Sequence, residues 1–318
     1  MKGNLKNKHT VTGAFGYSGQ YIALRLLANG HEVNTLTDSQ QRQSPLNGKI
    51  ESSGFHFDEP EKLVNYLKNT KVLYNNYWVR FNHKTFTHEE AVQNSFTLID
   101  AAKKAGVEKV VHISITNPSL DSDLEYFHGK ARIEEKLKNS GLSYCILRPA
   151  VIFGGSDILI NNIAWVARHF PIFPLFGNGN YKLQPIHVDD LAKIAVEKGT
   201  GKTNETFNVI GEETYTYKKL IETICHALGK KRLIFPAPAY AGYLAGKIIG
   251  AFTKDVMITK EEIKGLTAGL LYVNPKEPCI KGETSLQEYV DKNWQTIGNA
   301  YASEIKRRIQ RKPGYGQL

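Results

Sequence analysis

The sequence has few cysteines and no apolar segment ahead of its first predicted strand. Cys145, Cys225 and Cys279 are far apart and odd in number, which argues against a disulfide framework and indicates a reducing compartment. The missing apolar leader predicts that there is no secretory signal. The most hydrophobic later stretch, residues 235–252, is short for a membrane span and carries prolines at its start. We therefore expect a cytoplasmic protein, with this stretch as a buried or partner-contacting helix and peripheral membrane contact as the less favoured alternative.

Acidic residues are also missing from the two ends of the chain, whose formal net charge is +10. Lys2, Lys6 and Lys8 lie near the start, and five further cations lie within residues 306–312. These eight charges leave only +2 for the rest of the chain (10 − 8). The pattern predicts solvated basic tails rather than a basic face. Binding of nucleic acid through the tails is the less favoured alternative, and the sequence makes no strong case for nucleic acid or a membrane as partner.

The composition is that of a globular protein. With 318 residues, of which 41% are hydrophobic, the chain is long enough for one large α/β domain and a smaller lobe. Short β-rich runs alternate with amphipathic helical runs in the first half, which predicts an α/β fold with a doubly wound parallel sheet. The strands are predicted at 8–12, 32–37, 71–77, 109–115 and 143–147, and the helices at 20–29, 60–68, 89–105 and 129–139.

A glycine-rich turn at residues 12–19 joins the first predicted strand directly to the first predicted helix. Its three glycines allow a tight turn, a close approach to a pyrophosphate and close packing of the helix on the strand. The N–H groups at the start of the helix would then face the phosphates. The turn predicts a Rossmann-type dinucleotide site. Its contacts with the cofactor are predicted at Gly13, Phe15, Gly16, Tyr17 and Gly19.

The residues after the second strand bear on the choice between NAD and NADP. Asp38 lies where a carboxylate would accept a hydrogen bond from a ribose 2′-hydroxyl and repel a 2′-phosphate. Arg42 and Lys49 are close enough in sequence to receive a phosphate instead, so the sequence leaves both cofactors open. Asp58 is a candidate for contact with the adenine, and capping of the next helix is an equal alternative.

The regular alternation of strands and helices loosens after Arg148-Pro149, and residues 154–185 depart from it. This segment is rich in glycine, proline and aromatic residues, which is typical of an excursion that covers a ligand. A helix-like run and a short strand then return to the sheet, and the rest is mainly helical. We predict a dinucleotide-binding domain of residues 1–153 and 183–210, and a substrate lobe of residues 154–182 and 211–318.

Tyr126 and Lys130 are four residues apart and would share a face of a helix. An ammonium beside a phenol lowers the pKa of the phenol from its usual value of about 10. A tyrosine tuned in this way can exchange a proton with a carbinol oxygen while a hydride moves to or from a nicotinamide. The position of the pair between two predicted strands favours catalysis over an ordinary surface role.

Together these features resemble an extended or atypical short-chain dehydrogenase/reductase of the NAD-dependent epimerase/dehydratase superfamily. The resemblance rests on the glycine turn, Tyr126 and Lys130, Leu147-Arg-Pro149 and residues 186–190, and it covers nearly the whole chain. It implies a Ser/Thr–Tyr–Lys site in which Thr116, or alternatively Ser114, orients the substrate oxygen. The further cofactor contacts that it implies are Asn75, Tyr77, Ser114, Tyr126, Lys130, Pro149 and Val151.

Thr116 and Tyr126 are only ten positions apart in the sequence (126 − 116). This short spacing resembles the compact atypical members, which include quinone-reductase-like proteins and the NADPH-binding accessory subunit of respiratory complex I. We predict an NAD(P)-dependent oxidoreductase or epimerase that acts on a carbonyl/carbinol group of a small-molecule substrate. The alternative is an NAD(P)-binding accessory or sensor protein without turnover. The resemblance suggests a homodimer, and no metal site is predicted.

Overall fold

The computed structural model describes residues 7–274 and 276–318. The chain divides into two compact units. The first consists of the residues up to Arg148 together with Leu191–Phe207, and the second of Pro149–Asp190 together with Asn208–Leu318. The sequence places the corresponding boundaries at residues 153, 183 and 210.

The first part of the chain alternates strands with helices, as the sequence pattern predicts. In chain order, its elements are β1 (Lys8–Thr12), α1 (Tyr17–Ala28), β2 (Glu32–Leu36), β3 (Glu51–Ser53), α2 (Pro60–Leu67), β4 (Thr70–Asn75), α3 (His88–Lys104), β5 (Lys109–Ile113), α4 (Glu125–Lys138) and β6 (Ser143–Pro149).

The rest of the chain has shorter strands and more helices. In chain order, its elements are β7 (Val151–Phe153), α5 (Leu159–His169), β8 (Ile172–Phe176), β9 (Lys182–Leu183), β10 (Pro185–His187), α6 (Val188–Lys198), β11 (Glu205–Ile210), β12 (Tyr215–Thr216), α7 (Tyr217–Ala227), β13 (Leu233–Ala237), α8 (Ala239–Thr253), α9 (Lys260–Thr267), β14 (Cys279–Lys281), α10 (Leu286–Asn293) and α11 (Glu304–Ile309), followed by a 3₁₀ turn at Tyr315–Gln317.

The main sheet has eight strands in the order β14-β11-β6-β5-β4-β1-β2-β3. The pairs from β3 through β6 are all parallel. The order β3-β2-β1-β4-β5-β6 is that of the doubly wound Rossmann fold, in which the direction of winding reverses at β1 and ligands bind beyond the carboxyl ends of the strands. The predicted fold class is therefore confirmed.

An aliphatic core holds the helices of the first unit on its sheet. It includes residues from β4, β5, α3 and α4 that are almost entirely removed from water: Leu73, Val110, Leu98 and Ile133. Burial of such side chains is the main favourable term in folding. It also fixes the helix that carries Tyr126 and Lys130.

The expectation of a solvated basic tail near the end of the chain is wrong for Arg307 and Arg308, which are buried and half-buried, whereas Lys306, Arg311 and Lys312 are exposed. Lys306, Arg307 and Arg308 lie on α11. Arg307 is buried, and its guanidinium lies 4.4 Å from the ring centroid of Tyr315. The contact of a guanidinium with an aromatic ring is favourable and stabilises an arginine side chain that is removed from water. Lys2 and Lys6, which belong to the other predicted tail, lie outside the described residues.

Candidate active site

The glycine-rich turn lies between β1 and α1. Gly13 has a φ angle of +67°, which glycine adopts far more easily than other residues, and its N–H donates to the Leu36 carbonyl at 2.8 Å. A Cβ atom on Gly19 would overlap the Gly13 carbonyl and lie 3.0 Å from the Thr12 carbonyl oxygen. The helix therefore packs directly on the turn because residue 19 lacks a side chain.

The first turn of α1 offers N–H groups to an anion. Gly16 is its N-cap residue and supplies no capping side chain, and there is no acidic residue in the first turn. Uncapped N–H groups and the helix dipole together favour a phosphate at this position. Beside them, Ser18 donates to Asn76 Oδ1 at 3.4 Å, and the buried Nδ2 of Asn76 has no hydrogen-bond partner. These residues fit the pyrophosphate of a dinucleotide.

The two aromatic residues predicted in this turn differ in exposure. Phe15 is buried, so its side chain belongs to the core of the first unit and only its backbone is placed to meet a cofactor. Tyr17 is half-buried and meets Tyr21 edge-on, with ring centroids 6.4 Å apart.

We expect Gly19→Ala to abolish dinucleotide binding. The added methyl group would meet only backbone atoms, so the turn and α1 must separate, and the N–H groups would leave their places. Titration with NADH should show at least about a tenfold loss of affinity, equivalent to about 1.4 kcal/mol. Gly316→Ala, at a glycine that, like Gly19, has no positive φ but whose Cβ atom would make only an ordinary contact of 3.6 Å with Ser156, is the control. Unchanged binding by Gly19→Ala would contradict this assignment of the turn.

The residues predicted at the adenosine end lie around the segments after β2 and β3. Asp38 is exposed, and its Oδ1 accepts from the N–H of Phe55 at 3.4 Å. Arg42 is buried. Asp58 is exposed and does not cap α2, because the N-cap residue of that helix is Glu59. Of the two roles weighed for Asp58, helix capping is therefore wrong.

We expect NADH to bind more tightly than NADPH, because the exposed Asp38 carboxylate would repel a 2′-phosphate whereas Arg42 is buried. Asp38→Asn should shift the ratio of the two dissociation constants toward NADPH by about tenfold. Asp58→Asn, which removes an exposed carboxylate nearby, should leave the ratio unchanged. Tighter binding of NADPH by the wild-type protein would contradict this prediction.

Buried and half-buried polar side chains lie at the carboxyl ends of β4 and β5 and beside them. Asn75 Nδ2 lies 3.2 Å from His112 Nδ1, and Asn75 Oδ1 accepts from the N–H of Tyr77 at 3.0 Å. The hydroxyl of Tyr77 accepts from Asn94 at 2.9 Å. The Nε2 atom of His112 is buried without a hydrogen-bond partner. Burial, with Lys130 nearby, keeps the pKa of His112 well below its ordinary value.

Tyr126 and Lys130 both lie on α4, which begins earlier than the sequence predicts and so makes both residues helical. Tyr126 is half-buried and meets the Trp78 ring edge-on, with ring centroids 5.5 Å apart. Lys130 is buried, and its Nζ donates to the Ile113 carbonyl at 2.8 Å. The lysine is thus held at the carboxyl end of β5.

Trp78 covers the lysine. The Lys130 Nζ lies 4.8 Å from the Trp78 ring centroid, and the ring also stacks on His88 with a centroid distance of 5.6 Å. A Cβ atom on Gly129 would lie 2.8 Å from Trp78, so glycine is what permits this approach. Burial lowers the pKa of Lys130 to about 7, although Glu134 acts in the opposite direction.

The two candidate hydroxyl groups differ in their surroundings. Ser114 donates to Glu134 Oε1 at 2.6 Å, so its proton is held by a carboxylate. Glu134 is buried and also accepts from Arg148 Nε at 2.9 Å. Thr116, two residues further along, is fully buried. Sequence reasoning missed Glu134, although its position four residues after Lys130 on one helix face was the available signal.

The two remaining predicted contacts, Pro149 and Val151, belong to the second unit. Pro149 is the last residue of β6, and Val151 is the first residue of β7. Both are buried. In this unit β7 pairs in parallel with β10.

Comparisons with known proteins show what this chain is similar to in sequence. Residues 13–158 match a family described as NAD(P)H-binding. The mitochondrial NADH-ubiquinone oxidoreductase 40 kDa subunit of Neurospora crassa is 28% identical over 233 residues, which cover 70% of this chain and 60% of that subunit. The match thus spans less than two thirds of that relative's length.

Solved structures share the fold. A nucleoside-diphosphate-sugar epimerase from Staphylococcus aureus has a TM-score of 0.71 at 18% identity, and the match covers 90% of this chain and 99% of that one. Triphenylmethane reductase from Citrobacter sp., complexed with NADP(H), has a TM-score of 0.62 at 17% identity, with the same coverage of 90% and 99%. At these identities the likeness concerns the fold alone.

Proposed function

This chain carries an NAD(P)H-binding domain and the fold of the NAD-dependent epimerases and short-chain dehydrogenases/reductases, and on that premise we propose that it is an NAD(P)-dependent oxidoreductase. It reduces a carbonyl group or oxidises the corresponding carbinol, either as a net reaction or transiently during an epimerisation. The observation that carries the proposal is the placement of Tyr126 and Lys130 on one face of α4.

Each residue has a distinct role in this proposal. Tyr126, which is half-buried, gives a proton to the substrate oxygen or takes one from it. Lys130 favours the phenolate of Tyr126 and binds the ribose of the cofactor. The bound cofactor would supply the hydride when a carbonyl is reduced and accept it when a carbinol is oxidised. Thr116 orients the substrate oxygen, because the proton of Ser114 is donated to Glu134.

The second candidate function is an NAD(P)-binding accessory protein without turnover. Two observations favour it. The relative in Neurospora crassa is a subunit of a larger oxidoreductase, and Lys130 is engaged with the Ile113 carbonyl beneath Trp78. In this case the dinucleotide would stabilise the first unit, as any ligand that binds only the folded state does.

Hydride transfer to a panel of aldehydes, ketones and quinones, followed as loss of nicotinamide absorbance, distinguishes the two. We expect turnover by the wild-type protein and a loss of about 100-fold or more in kcat for Tyr126→Phe, with NADH binding retained. Tyr144→Phe, at a half-buried tyrosine of β6, should keep full activity. Equal turnover by Tyr126→Phe would refute the catalytic role. Saturable NADH binding without turnover on any carbonyl would establish the second candidate.

Two further expectations stay as proposals. A homodimer follows from the family resemblance, and the cytoplasm follows from the cysteine pattern. The name of the Neurospora crassa relative places that protein in mitochondria, so fractionation of the native host is the measurement that decides the location.

A further inference from the structure

Helix α8 of the second unit exposes a stripe of large apolar side chains. Tyr240, Leu244, Ile248 and Phe252 are 70%, 53%, 60% and 84% exposed. Residues four apart lie on one face of a helix, so the four side chains form one continuous stripe. The sequence predicts a buried or partner-contacting helix here, and the structure leaves this face uncovered within its unit.

The opposite face of α8 fixes this orientation. Gly242, Gly246 and Gly250 alternate with the stripe at an offset of two residues, which is about 200° around a helix. A Cβ atom at residue 246 would lie 3.0 Å from Ile258, and one at residue 250 would lie 2.6 Å from the Asp255 carbonyl oxygen. Rotating the helix to bury its stripe would press larger side chains into these contacts. The close packing of the glycine face of α8 therefore keeps the opposite, apolar face exposed.

The strand that precedes α8 extends the apolar surface. β13 pairs in parallel with β8, and Leu233 lies opposite Ile172. These two side chains are 64% and 48% exposed, and Phe235, on the same side of the strand, is 36% exposed. Large apolar side chains are thus exposed to water at several positions along residues 233–252. Such a group of neighbouring exposed apolar residues, unlike single scattered ones, indicates an interaction surface.

The charge of this segment has one sign. Residues 223–254 contain no aspartate or glutamate and five cations: Lys230, Lys231, Arg232, Lys247 and Lys254. Lys247 and Lys254 are exposed beside the stripe. An apolar helix face flanked by lysines is typical of helices that lie in the interface of an anionic bilayer.

We propose that α8 and β13 form a docking surface for an anionic lipid bilayer, on which the helix lies in the plane of the headgroups. Among the described residues, no helix is long and apolar enough to cross a bilayer, so the contact is with the surface. The charge favours lipid over a second copy of this chain, because an antiparallel symmetric pairing of two α8 faces would bring Lys247, near the middle of the helix, toward its own copy, and residues 223–254 contain no acidic partner for it.

Sedimentation with vesicles tests the proposal without any cofactor or substrate, and so independently of the proposed function. The probes are vesicles of phosphatidylcholine alone and of phosphatidylcholine mixed with phosphatidylglycerol. We expect the wild-type protein to partition onto the mixed vesicles. The partition coefficient of Leu244→Ser/Ile248→Ser should be lower by a factor of about ten or more. Lys247→Gln/Lys254→Gln should bind the mixed, anionic vesicles more weakly than the wild-type protein does, and its partitioning onto phosphatidylcholine alone should not change. Leu120→Ser, at an apolar residue that is 50% exposed in the first unit, is the control.

Three results would overturn the proposal. The first is no partitioning of the wild-type protein onto anionic vesicles. The second is equal partitioning by Leu244→Ser/Ile248→Ser, which would assign the binding to other basic residues such as those of α11. The third is a dimeric wild-type protein that the same double substitution converts to a monomer in light scattering, which would assign the stripe to a second copy of the chain.

Discussion

Replacing Lys130 by methionine will stabilise the fold at pH 7 while it weakens dinucleotide binding. The ammonium of Lys130 is buried, with a hydrogen bond to the Ile113 carbonyl and the Trp78 ring above it. A methionine of similar length fills the same space without a charge that must be removed from water. The site therefore carries a cation at the expense of stability, which is common where a residue serves function.

The size of the effect follows from the pKa. Burial lowers the pKa of Lys130 from 10.5 to about 7, which corresponds to an upper limit of about 5 kcal/mol. Loss of the hydrogen bond and of the contact with Trp78 reduces the expected gain to about 3 kcal/mol. Because the folded pKa lies below the unfolded one, the destabilisation is complete below pH 7 and fades as the pH rises from 7 toward 10.5.

Urea unfolding of the wild-type protein and Lys130→Met between pH 6 and pH 10, values that bracket the folded pKa of about 7, measures this gain. The advantage of the variant should shrink as the pH rises. Lys136→Met, at a half-exposed lysine of the same helix, should change the free energy of unfolding by less than about 1 kcal/mol. A destabilised Lys130→Met at pH 7 would contradict the claim that the contacts of the Lys130 ammonium do not offset its removal from water.

Replacing Glu134 by alanine will destabilise the fold by about 3–5 kcal/mol, because it leaves a charged partner without its counter-ion. The carboxylate is buried, with its side chain only 2% exposed, and it pairs with Arg148 and accepts from Ser114. Its removal will also lower the pKa of Lys130 further, since Glu134 is the group that raises it. Lys130 should then lose its proton at a lower pH than it does in the wild-type protein.

A double-mutant cycle with Arg148→Met tests the pairing. If the unpaired guanidinium carries most of the loss, the double variant will be more stable than Glu134→Ala alone. Glu135→Ala, at the exposed neighbouring glutamate of α4, is the matched control and should differ from the wild type by less than about 1 kcal/mol. Additive losses, or a Glu134→Ala variant as stable as the control, would contradict the account.

The elements of the first unit could be predicted because local signals agree with the tertiary fold there. Apolar strand runs and glycine helix ends predict β1, α1, β4 and α3 to within a few residues. Two strands of the main sheet, β3 and β14, were missed because each has three residues and no apolar alternation. The helix α5 was missed because dense glycine and proline flank it on both sides.

The candidate site was predicted at the level of residues but not of their partners. The spacing of Tyr126 and Lys130 is a local property of one helix, so the sequence contains it. The approach of Trp78 to Lys130, and that of Arg148 to Glu134, join different elements. Such partners depend on which strands are neighbours and in which register, and no local pattern encodes that. The basic cluster of α11 misled for a different reason. Glu304 pairs with Arg308 four residues later on the same helix, and this local signal was overlooked, whereas the contact of Arg307 with Tyr315 lies beyond the end of the helix.

Titration with NADH and NADPH, followed by nicotinamide fluorescence, is the measurement that tests the central claim most directly. The account predicts saturable binding by the wild-type protein, with NADH the tighter ligand because of Asp38. It predicts binding that is weakened in Lys130→Met, although that variant is more stably folded, and binding that is abolished in Gly19→Ala. No saturable binding of either dinucleotide by the wild-type protein, or equal binding by all three proteins, would contradict the assignment of the glycine turn and of Lys130 to a cofactor site.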